Sequence, residues 1–145
     1  MFGIYIHWPF CASKCPYCDF NSHVRQRIDQ HVWADAYARE IEHYAALTKG
    51  KIVTSVFFGG GTPSILNLRQ WETVLGAMDR LGLTGAEEWT IECNPATLSL
   101  DKAKLLRAAG VNRISMGVQS LDAGLLERLG RVHSREMVFK SYDCL

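Results

Sequence analysis

The chain has 145 residues, 48% apolar and 21% charged, a composition that supports one domain with a real core. Its formal net charge of +1 gives no electrostatic reason to expect nucleic acid or an anionic membrane as a partner. No apolar run reaches membrane-spanning length and the N-terminus lacks the basic and apolar regions of a signal peptide, so a cytoplasmic location is expected.

In chain order, an apolar strand from Phe2 to His7 delivers the backbone into a loop that carries Cys11, Cys15 and Cys18. A long helix is predicted from near Ile28 to Leu47, with Ile28, Val32, Tyr37, Ile41 and Tyr44 recurring on one side; its aromatics read as core packing. The second strand, Ile52 to Phe58, ends in Gly59-Gly60-Gly61-Thr62-Pro63-Ser64, and the next helix carries Leu68, Trp71, Leu75, Met78 and Leu81 at helical spacing. The third strand, Trp89 to Cys93, is followed by Asn94-Pro95 and a helix through Leu105 and Leu106 that stops at Gly110, a natural cap. The fourth strand runs from Arg113 to Val118. A short helix follows around Leu121 to Leu129, then a break at Gly130 and a new helical start near Ser134.

Strands alternating with helices predict α/β units around a parallel sheet. Four parallel strands would leave an unpaired edge and an open apolar face, so the chain is expected to be a truncated piece of a barrel. No linker, low-complexity tract or repeat marks a second domain, and residues 1–145 read as one unit.

The three loop cysteines have C-x3-C-x2-C spacing, which argues for an iron–sulfur cluster in a reducing interior. A four-iron cluster normally takes four thiolates, so three ligands leave one iron open to a small molecule, of which S-adenosylmethionine is the usual one. Two other readings compete. One is a zinc-stabilised binding module with His7 or His23 as fourth ligand, although zinc favours two separated ligand pairs. The other is ordinary buried or disulfide-bonded cysteines, for which so short a loop offers poor geometry. Cys93 and Cys144 read as free thiols, buried or half-buried.

Loops at the carboxyl ends of parallel strands converge on the site of such folds. Here those loops bring together the cysteines, the glycine run, Glu92 and Gln119. Three glycines either let backbone groups approach a ligand or simply form a tight turn. Glu92 is a solvated carboxylate by default, or a partner for a ribose or ammonium group. His7 reads as ordering the loop rather than binding iron, and Arg131 as a helix-end cation unless it faces a ligand.

Taken together, Tyr5-Ile6-His7-Trp8-Pro9-Phe10-Cys11, Cys15-Pro16-Tyr17-Cys18-Asp19-Phe20-Asn21 and Phe57-Phe58-Gly59-Gly60-Gly61-Thr62-Pro63-Ser64 closely resemble the radical S-adenosylmethionine family of oxygen-independent coproporphyrinogen III oxidases and their relatives. Glu92-Cys93-Asn94-Pro95, Gly110 to Ser120 and Leu129-Gly130-Arg131-Val132-His133 continue the likeness in the same order. The resemblance implies the first four units of a partial TIM-type (β/α)6 barrel. It implies that Cys11, Cys15 and Cys18 bind a 4Fe-4S cluster and that Tyr5, Tyr17, Gly60 and Glu92 contact the S-adenosylmethionine on it. Positions matching Gly61, Thr62, Gln119 and Arg131 hold a second S-adenosylmethionine in the oxidases, so here they are candidates for that or another ligand.

The oxidases carry a further cysteine two residues beyond the third cluster ligand and an N-terminal extension. This chain has Phe20 at that position and begins four residues before Tyr5, so it is similar to the heme chaperone branch. That branch implies heme in the full-length protein and transfer to heme-acceptor proteins; the alternative is oxidative decarboxylation of coproporphyrinogen propionates to vinyls. The family's later strands and C-terminal domain are expected beyond Leu145. Cys93, where a smaller or apolar residue is expected, and Trp8, where an aliphatic is typical, depart from the family's pattern.

Overall fold

A computed structural model describes residues 2–25, 27–80 and 85–145. Its elements are β1 (Phe2–Trp8), β2 (Phe10–Cys11), β3 (His23–Val24), α1 (Gln30–Leu47), β4 (Val53–Gly60), α2 (Leu68–Arg80), β5 (Glu88–Cys93), α3 (Leu100–Ala108), β6 (Arg113–Met116), α4 (Ala123–Arg128) and α5 (Arg135–Tyr142). Single 3-10 turns at Pro63–Ile65 and Pro95–Thr97 follow β4 and β5. The main sheet has the order β1-β4-β5-β6 and is parallel throughout. Each step to the next strand crosses over through a helix, as parallel pairing demands.

Period-2 alternation sorts the side chains of these strands. Ile6, Trp8, Val56, Phe58, Trp89 and Ile91 point to one face and are buried in a single core with Trp71, Val74 and Met78 of α2. Phe58 and Trp71 meet edge to face with ring centroids 4.8 Å apart. Trp8 is fully buried among Phe10, Trp33 and Tyr37, so the large residue at this position fills an aromatic pocket under α1.

The helices start where side-chain oxygens can satisfy free amides. Asp29 accepts from Val32 N, Ser99 from Lys102 N, Asp122 from Leu125 N and Ser134 from Met137 N. Trp71, Leu75 and Met78 are buried as their spacing predicts, while Leu81 lies outside the described residues.

Three expectations need correction. In α1 the stripe packed against the core is Trp33, Tyr37 and Ile41, at steps of four and each partly buried, and Ile28 packs from ahead of the helix. Val32 and Tyr44 are more than half exposed because they lie off that stripe. The second strand starts one residue later than Ile52, which is 81% exposed, and continues through Gly59 and Gly60. The fourth strand ends at Met116, where the chain turns: Val118 N bonds back to Met116 O and Gln119 takes φ 65°. Among the described residues no helix is long and apolar enough to cross a membrane.

Candidate functional site

A small parallel pair closes the cysteine loop at its base, with Phe10 opposite His23 and Cys11 opposite Val24. His23 N bonds to Pro9 O at 2.7 Å, and inside the loop Cys18 N bonds to Cys15 O at 3.0 Å. Two-residue strands carry no periodicity, so nothing in the sequence announced this closure.

The glycine run lies against the entry to that loop. Gly61 N donates to Trp8 O at 2.6 Å and Thr62 N to Phe10 O at 2.9 Å. A Cβ on Gly60, whose φ is 109°, would stand 2.5 Å from His7 Nδ1, and one on Gly61 would overlap the Phe10 backbone. These glycines are therefore needed for the backbone of β4 to approach the backbone after β1, before any ligand is considered. His7 completes the arrangement: its two ring nitrogens lie 3.2 Å from Tyr5 OH and 2.9 Å from Asn21 O. Both nitrogens being engaged, His7 orders the loop, as expected, and is not presented as a fourth ligand.

At the carboxyl ends of the strands a cavity of about 370 Å³ is lined by all three loop cysteines and by Tyr17, Gly60, Gly61, Thr62, Glu92, Gln119 and Arg131. Tyr5 stands apart from it. Its exposed ring stacks on Phe57 at 6.0 Å beside the other edge of β1, and burial, then the nearby Glu92 charge, raises its hydroxyl pKa. Glu92 is fixed by Gly60 N, which donates to its Oε2 at 2.9 Å.

Each loop thiol meets a different side-chain partner. Thr62 Oγ1 donates to Cys11 Sγ at 3.6 Å, Arg131 Nη1 to Cys15 Sγ at 3.2 Å, and Ser22 Oγ lies 4.0 Å from Cys18 Sγ. Ser22, 3% exposed, was not singled out from the sequence; its nearness to Cys18 in the chain was the only signal. Among the described residues no three His, Cys, Asp or Glu side chains converge on a point fit for a single ion. A cluster makes no such demand, because its thiolates bind separate irons at its corners. Three thiols on one short loop, facing a shared cavity and each beside its own polar neighbour, fit a cluster of that kind.

Cys93 also borders the cavity, buried beneath it, and burial pushes its thiol up to about 12. Burial therefore disfavours its thiolate, the form in which a cysteine binds metal. Nearby, Lys102 Nζ donates to Ser64 O and, at 3.0 Å, to Thr97 O, tying together the turns after β4 and β5. Cys144 is half-buried, and its thiol bonds to Lys140 O at 3.2 Å.

The sequence profile of the radical SAM superfamily matches residues 5–145. The chain is 42% identical over 133 residues to heme chaperone HemW of Escherichia coli K12, covering 90% of this chain and 35% of that protein. It is 38% identical over 145 residues to heme chaperone HemW of Bacillus subtilis, covering 99% of this chain and 38% of the relative. A bovine relative, radical S-adenosyl methionine domain-containing protein 1, mitochondrial, is 39% identical over 133 residues, covering 91% of this chain and 30% of its own. The solved structure of coproporphyrinogen III oxidase (HemN) from Escherichia coli, described as a radical SAM enzyme, superposes with TM-score 0.86 at 33% identity over 98% of this chain and 33% of that one. The parallel α/β architecture is that of the radical SAM fold, and the chain spans about a third of the length of these relatives.

Proposed function

The chain belongs to the radical SAM superfamily, and we propose that residues 1–145 form the N-terminal part of a radical SAM core in a heme chaperone, with a 4Fe-4S cluster held by Cys11, Cys15 and Cys18. The observation that carries this reading is the meeting of the three thiols with Glu92, Gly60 and Arg131 around one cavity. When bound, the cluster supplies the electron that splits the sulfonium of S-adenosylmethionine.

The chain's own residues have simpler tasks. Three thiolates hold the cluster and leave one coordination site open. Glu92, anchored by Gly60 N, accepts from a ribose hydroxyl or an ammonium group. Tyr17 and Gly61 line the space beside it, and Gln119, with its positive φ, closes the side below β6. Tyr5 contributes through the His7 and Glu92 network rather than from the cavity wall.

Heme as cargo and a heme-acceptor protein as partner are proposed for the whole protein, on the likeness to HemW and on Phe20 at the position of the oxidases' extra cysteine. A second reading, oxidative decarboxylation of coproporphyrinogen III, is favoured by the likeness to HemN. Anaerobic incubation of the reconstituted whole protein separates them. Heme retained through gel filtration, with no vinyl product from coproporphyrinogen III, S-adenosylmethionine and reductant, is the expected result. Vinyl product would overturn the chaperone reading in favour of the oxidase.

A further inference from the structure

Of the three side-chain partners facing the loop thiols, two are hydroxyls and one is a cation. Arg131 Nη1 lies 3.2 Å from Cys15 Sγ and 3.3 Å from Tyr17 OH, and Nη2 donates to Gly117 O at 2.7 Å. The contact joins residues 116 apart in sequence.

The turn that carries the guanidinium is held on both sides. Gly130, at φ 63°, lies against the cysteine loop so closely that a Cβ there would be 2.9 Å from Pro16 Cδ. Arg131 N bonds to Leu126 O at 2.9 Å, and two residues on the buried His133 pairs its Nε2 with Val118 O at 3.0 Å. The charge is therefore fixed in place.

Arg131 is at a position whose counterpart in the oxidases holds a second S-adenosylmethionine. Here both terminal nitrogens already have protein acceptors, and only the buried Nε is without one among the described residues. These contacts use three of the five guanidinium N–H donors, and Nε–H and the second hydrogen on Nη2 keep no protein acceptor among the described residues.

Reduction of an iron–sulfur cluster adds negative charge that spreads onto the cysteine sulfurs, and its potential responds to nearby charge and to hydrogen bonds on those sulfurs. A cation donating to one thiolate stabilises the reduced state more than the oxidised one, the more so where water is partly excluded. We infer that Arg131 is a positioning residue that raises the reduction potential of the cluster by donating to the Cys15 thiolate; this rests on the cluster reading above.

The test is a potentiometric titration followed by EPR on the anaerobically reconstituted wild type, Arg131→Lys and Arg131→Met, with iron and labile sulfide measured for each. The expected result is wild-type cluster content with a potential shifted negative in Arg131→Met and shifted less in Arg131→Lys. Thr62→Val, which removes a neutral donor to Cys11, shifts it least. Unchanged potentials at full cluster content in both Arg131 variants overturn the inference while leaving the cluster reading intact. Loss of the cluster from both also overturns it, since Arg131 would then be needed merely to hold the loop. A wild type that takes up neither iron nor sulfide removes the cluster reading itself.

Discussion

On the helix-covered face of the sheet, Ile6, Phe58, Ile91 and Ile114 stand in one cross-strand row. One residue back along each strand, on the opposite face, the row reads Tyr5, Phe57, Thr90 and Arg113. Further along that second face come His7, Gly59 and Glu92. The same four strands therefore divide their labour by parity: one set of side chains holds the sheet to its helices, and the other lies bare of helices and leads to the cavity. Substitutions on the two faces are expected to fail in different ways, the first by unfolding and the second by loss of ligand binding.

The largest effect belongs to the covered face. Trp71→Ala, which empties a site 1% exposed against Phe58, is expected to cost about 3–5 kcal/mol of unfolding free energy in urea denaturation. A cost well below that range would mean the core does not depend on this contact. Next comes Gly60→Ala at the seam between the faces, where φ 109° and the His7 and Trp8 contacts forbid a methyl group. Its expected cost is about 1–3 kcal/mol, together with reduced cluster uptake read as iron and sulfide content.

Much of this division could be read from the chain. Strand and helix order, the Gly110 stop, the Ser134 start and the gathering of strand-end loops followed from alternation, capping and the geometry of parallel sheets. What could not be read depends on contacts with no local periodicity. The pairing of Phe10–Cys11 with His23–Val24 is too short to leave a pattern, and the choice of Trp33 over Val32 as the core-facing residue turns on a single step of helix rotation. The glycine run left open either an approach to a ligand or a tight turn, and neither reading anticipates its close contact with the chain's own backbone. The Arg131 to Cys15 contact joins opposite ends of the chain and left no trace beyond the two motifs that carry it.

On the open side, Glu92→Gln sharpens the comparison. It keeps the side chain's shape, so stability should change by less than about 1 kcal/mol, while affinity for S-adenosylmethionine in anaerobic calorimetry falls by about tenfold. Equal losses of stability and affinity would blur the two faces into one.

The smallest expected effect is a pH dependence at His133. Burial, with Arg131 adding to it, lowers its pKa below the usual 6.5, so the unfolded chain takes up a proton at a higher pH than the folded one. This contribution to stability is complete above about pH 6.5 and is lost as the pH falls through the interval below it, levelling off under the folded pKa. Urea denaturation across that interval should show the decline, and His133→Gln should flatten it.

The most direct test of the account is the metal content of the chain after anaerobic reconstitution, for the wild type and Cys15→Ala, with visible spectra before and after dithionite. A brown protein with matched iron and labile sulfide, bleached by reductant and depleted in the variant, is the predicted result. Zinc without sulfide in a well-folded sample would contradict it.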